Sequence, residues 1–176
     1  MNNKQYKNTS CHISRGFSLL ELLLYVAILS GLMVVVSDSF ISLSKARGQA
    51  EARNEVNASI RFATERIRQD LKGASVVTTP VLGTPSAILQ ATVSGTTILY
   101  DTLAGQLRRT EGAGSPVPVS GTNVFVDTTT FTRLENYNAP LNATTTAIQV
   151  AMTFRYNASS TDWSYADTLR TTVTLR

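Results

Sequence analysis

Residues able to do proton, metal or nucleophile chemistry are sparse in this chain. The one cysteine and the one histidine, Cys11 and His12, are neighbours near the start of the 176 residues, and nothing after residue 16 carries a thiol or an imidazole. The downstream part therefore has no disulfide, no thiolate or imidazole nucleophile or base, and no Cys/His metal site. Catalysis would fall to carboxylates, yet Asp101, Asp127, Asp162 and Asp167 show no spacing that predicts convergence, and a scatter of solvated loop acids is the better reading. Asp162 and Asp167 flank Trp163 and Tyr165, where calcium or a partner is the alternative to plain solvation. These residues imply no enzyme, no cofactor and no metal. One carboxylate stands apart, because Glu21 is the only charged residue between Phe17 and Val36.

The element that holds Glu21 is a run of twenty residues, and at 1.5 Å per residue a helix of that length spans roughly 30 Å, one hydrocarbon layer. A cleaved secretory signal competes with a membrane span. Its apolar core is shorter than this run, and Ser37-Asp38-Ser39 is a poor cleavage site. Lys4, Lys7 and Arg15 precede the run with no acid among them, which places the N-terminus on the cytoplasmic side and sends the rest outward. Lys45 and Arg47 beyond the run weaken that asymmetry.

The net charge of +4 invites a nucleic-acid reading, but the charges are not gathered. Residues 37–73 hold seven bases and five acids, and residues 74–176 hold six of each. No basic stripe serves a phosphate backbone, and Arg108-Arg109 reads as a solvated strand end.

Past the run, Val56, Ile60, Ala63, Ile67, Leu71 and Ala74 recur at one-face helical spacing. Arg61 with Glu65, and Arg66 with Asp70, are expected as i,i+4 pairs on the solvated face, and Gly73 as the helix stop. One helix from about Phe17 to Lys72 is predicted. Gly31 and Gly48 each weaken it by about 1 kcal/mol relative to alanine. After Gly73 the chain turns threonine-rich, with β-branched and aromatic residues between Gly and Pro. Strands are expected at 87–93, 97–100, 106–109, 124–131, 147–156 and 168–176, with turns at Ser94-Gly95 and Ala104-Gly105. The last two alternate cleanly, placing Ile148, Val150, Met152, Phe154 and Tyr156 on one face, and Leu169, Thr171, Val173 and Leu175 on another. The amphipathic half of the helix is the natural cover for a mainly antiparallel sheet. The expected class is α+β, with residues 1–16 a basic leader, 17–36 a membrane-spanning helix, 37–73 its amphipathic continuation and 74–176 a β-rich outward domain.

The order of basic leader, Arg15-Gly16, Phe17, and Glu21 at the fifth place of an apolar helix resembles the N-terminus of the type IV prepilin-like family. That family includes pilins and the pseudopilins of type II secretion systems. The resemblance implies cleavage after Gly16 by a prepilin peptidase, N-methylation of Phe17, and a charge pair between Glu21 and the Phe17 amine of a neighbouring subunit. It implies the bacterial inner membrane, an assembly platform there, and sibling pilins or pseudopilins as partners. The stretches RFATERIRQDLKGA, ILYDTLAGQLRR and TTVTLR are similar to the J-type minor pseudopilins and related minor pilins, which sit near a filament tip. The helix lacks the proline of many major pilins, the C-terminal part lacks a cysteine pair, and the presence of Glu21 departs from the K-type subunit. A major pilin, or a single-pass anchored binding domain that never polymerises, are the alternatives.

The chemistry of Glu21 suits that role. A carboxylate at the bilayer centre costs about 2.5–3.5 kcal/mol on insertion scales, but one helical turn from the cut end it can snorkel to the interface. In a filament core no headgroup layer is within reach, so an ammonium partner is required.

Overall fold

The computed structural model describes residues 18–158 and 163–175. A single helix, α1, covers Leu19–Lys72, and Gly73 ends it, its N–H donating to the carbonyl oxygens of Gln69 and Asp70. The expected stripe is the buried face: Val56, Ile60, Ala63, Ile67 and Leu71 are all in the core. The chain divides into two compact units at Leu43/Ser44, and the core described next belongs to the second.

Two antiparallel sheets follow where a single sheet was expected. The first is a meander of β1 (Ala74–Thr79), β2 (Leu89–Val93), β3 (Thr96–Leu103), β4 (Gln106–Glu111) and β5 (Val117–Pro118), paired in chain order. Ser94-Gly95 and Ala104-Gly105 close two of its hairpins with positive φ at both positions, the handedness that suits the twist of the flanking strands. Gly105 is doubly required, since a Cβ there would lie 2.1 Å from the Phe125 ring. The second sheet holds β6 (Val124–Asn138), β7 (Ala143–Tyr156) and β8 (Ala166–Thr174). β6 and β7 are longer than the alternation predicts, because exposed, polar residues such as Asn136↔Thr145 extend the ladder beyond the buried part. β1, unpredicted, pairs with β2 through two register irregularities that blur its alternation.

Helix and both sheets share one core. Ile148, Val150, Met152 and Phe154 of β7, Phe131 of β6, and Leu89, Ile98, Tyr100 and Leu107 of the first sheet close around the α1 stripe. The fold is α+β, with the second half of the long helix packed on antiparallel sheets.

Candidate functional site

Glu21 lies in the first turn of α1, where Ser18 accepts a hydrogen bond from the Leu22 N–H at 3.1 Å. Its side chain is exposed and has no hydrogen-bond or ion-pair partner among the described residues. Around it Leu19, Leu20, Leu22, Leu23 and Leu24 are exposed as well, and the same holds for the large apolar side chains up to Leu43. The helix end stabilises a negative charge here, but nothing in the described fold neutralises it. Gly16, Phe17, Lys4, Lys7 and Arg15 lie outside the described residues.

The first half of α1 carries apolar side chains on every face, and they are exposed. It is long and apolar enough to cross a bilayer. Ser30 Oγ donates to the Ala27 carbonyl at 3.0 Å and Ser39 Oγ to the Val35 carbonyl at 2.9 Å, so both hydroxyls are satisfied within the helix. In hydrocarbon, where an unmade hydrogen bond is expensive, these serines need no outside partner.

At the other end of α1 the expected surface pairs are replaced by a network between helix and sheet. Asp70 is buried and does not meet Arg66; it accepts from Tyr100 Oη at 2.6 Å and from Arg109 Nε at 2.7 Å. Arg109 Nη1 also donates to Glu111 at 2.7 Å. Glu65 pairs with Arg68 at 3.0 Å instead of with Arg61. Arg108 and Arg109 are not a solvated strand end: Arg109 has 13% of its side chain exposed, and Arg108 forks onto Asp101. Burial, and then the bond to Asp70, push the Tyr100 phenol well above its ordinary 10.0. The bond to Asp70 raises Arg109 despite the opposing effect of its burial. The sequence carried a signal for this: Asp70 follows Ile67 by three and adjoins Leu71, which puts it on the stripe.

The remaining acids do not converge. Asp101 holds Arg108, Asp127 holds Arg155 from a bulge in β6, and Asp167 accepts from the Thr168 N–H. Asp162 lies outside the described residues. Among the described residues no three of His, Cys, Asp and Glu gather as metal ligands. Trp163 lies on the helix at Gly48, where a Cβ would meet its Nε1 at 2.6 Å, so the glycine that weakens the helix is also the seat of the indole.

Beside the network an open cleft of about 440 Å³ runs between α1 and β5, lined by Phe62, Arg66, Gln69, Arg109, Val117 and Val119 among others. Phe62 and Val117 are each 60% exposed. Comparison with protein-family models, curated proteins and solved structures finds no match.

Proposed function

We propose that the chain is a minor pilin-like subunit, cut between Gly16 and Phe17, methylated on the Phe17 amine and assembled from the inner membrane into a type II secretion or type IV pilus-like filament near its tip. The observation that carries this is Glu21: an unneutralised carboxylate on the first turn of a helix whose apolar side chains, as far as Leu43, find no cover in their own chain. A membrane covers the apolar side chains but leaves the carboxylate in want of water or a cation. Packing beside sibling helices covers them too, and the amine released by cleavage after Gly16 supplies the cation. The α+β domain beyond the span suits a structural subunit, since Asp70, Asp101 and Asp127 are tied up in ion pairs that hold helix to sheet and strand to strand.

The test is co-expression of the full chain with a prepilin peptidase, followed by N-terminal mass analysis. The expected product starts at Phe17 and carries one added methyl group. A chain that keeps its leader under conditions where a control prepilin is cut overturns the proposal.

A further inference from the structure

The second unit of the chain begins with a cation and an acid that do not close on each other. Arg47 and Glu51 stand one helical turn apart on α1, cation before acid, the order that makes the weaker pair on a helix. Both are exposed, and neither has a hydrogen bond or ion pair among the described residues. With Ser44 and Gly48 of the same helix face, Tyr156 at the end of β7 and Trp163, they line an open pocket of about 350 Å³. All six residues belong to the unit that starts at Ser44. Trp163 lies on Gly48, and its indole N–H has no acceptor among the described residues.

A pocket with an unpaired cation, an unpaired acid and an aromatic wall suits a zwitterion. The Arg47 guanidinium, the indole N–H and the Ser44 hydroxyl can all donate to a phosphate, and the Glu51 carboxylate accepts from a primary ammonium. Aromatic faces attract the same ammonium. A plain anion would leave Glu51 without a partner, and a plain amine would leave Arg47 without one. The position of the pocket selects the source. The large exposed apolar side chains of the first half of α1 run up to Leu43, the residue before Ser44. From Leu43 to Arg47 is about one turn of helix, a rise of about 6 Å, and one headgroup layer of a bilayer is about 5–7 Å deep. Arg47 comes first after the apolar half and Glu51 a turn later, as phosphate precedes ammonium on the way out of a phospholipid layer. Tryptophan and tyrosine are also the side chains that favour this layer.

We infer that this pocket holds the headgroup of an amine-bearing phospholipid of the phosphoethanolamine type. Its phosphate meets Arg47, Ser44 and Trp163 Nε1, and its ammonium meets Glu51 against the aromatic wall. The inference rests on the membrane anchoring contained in the reading above, and adds a lipid held by the folded domain itself.

The experiment places the full-length chain in phosphatidylcholine vesicles, whose quaternary amine has no N–H to give Glu51, and replaces part of that lipid with phosphatidylethanolamine. Trp163 is the one tryptophan, so its emission reports the pocket. A saturable change is expected, and phosphatidylglycerol, which has the phosphate but no amine, is expected to need an at least about fivefold higher fraction for the same response. Glu51→Gln is expected to abolish that preference, and Arg47→Gln to weaken the response to both lipids. Equal responses of the wild type to the two lipids, or a preference that survives Glu51→Gln, overturn the site. Glycerophosphoethanolamine in solution, added to pure phosphatidylcholine vesicles at the same headgroup concentration, is expected to leave the emission unchanged; a full response to it overturns the assignment to lipid. Vesicle flotation reads the anchor on the same samples. A chain that floats without the preference loses this site alone, whereas a chain that does not float loses the membrane reading and the site with it.

Discussion

A carboxylate in an apolar helix persists only where water or a cation reaches it, and Glu21 meets no cationic group among the described residues. Near a helix end it is tolerated in a bilayer, so Glu21→Leu is expected to leave insertion and leader cleavage intact while removing the subunit from its filament. Co-purification with sibling subunits checks this, and wild-type recovery of the mutant would show that the carboxylate takes no part in assembly. The buried residues make a different prediction. Tyr100 donates to Asp70 from a fully buried site, and Tyr100→Phe leaves Asp70 with Arg109 but without the phenol, at a cost of about 1.5–3 kcal/mol near neutral pH. The folded-state pKa of Tyr100 is raised above its ordinary 10.0, so its contribution is full below pH 10. Above that the unfolded phenol ionises, the folded one does not, and stability falls as pH rises. Denaturant melts at pH 8 to 11 are expected to show the gap between wild type and Tyr100→Phe narrowing only above pH 10. A gap that stays constant from pH 8 to 11 would mean that the folded phenol titrates as the unfolded one does, in contact with water.

At the scale of elements, local periodicity was a good guide wherever a face is buried by neighbours on one side only. The α1 stripe and the alternation of β7 and β8 could be read because their apolar residues repeat at the period of the element. Division into two sheets could not, because it depends on which strands pair, and β5 is only two residues long. Glu21 was legible as a charge against an apolar background. Asp70 could be placed on the stripe, but its partner Arg109 could not be read, because the pairing spans 39 positions and exists only once β4 is in register with β3 beside the helix. Gly48 shows the same division between local and distant causes. Alanine there favours the helix by about 1 kcal/mol, yet its Cβ would intrude on the Trp163 indole. The indole is the movable party, so Gly48→Ala is expected to change stability by less than about 1 kcal/mol while displacing it. With one tryptophan in the chain, the readout is unambiguous: emission shifts to the red and quencher access rises. Unchanged fluorescence would mean that the indole does not rest on Gly48.

For the whole molecule, the decisive asymmetry is where burial begins. Among the described residues every buried apolar side chain lies at Ala52 or later, and the helix before that point contributes none. The core is therefore closed without the apolar half of α1, which is long and apolar enough to cross a bilayer. A chain starting at Ser44 keeps the stripe from Val56 to Leu71, both sheets and the Asp70 network. Among the described residues it loses a mostly apolar stretch whose exposed side chains favour aggregation in water. It is expected to be soluble without detergent and to unfold in one cooperative transition, as a small domain with a continuous core does. The full chain should instead partition into membranes and require detergent for extraction. Near-ultraviolet circular dichroism and thermal melts of the two forms compare the domain directly, and matching aromatic spectra are the expected result. If the shortened chain shows helix and strand content but no fixed aromatic signal, the apolar half would be a structural part of the domain. The division of labour between an anchor that awaits partners and a domain that folds alone would then fail.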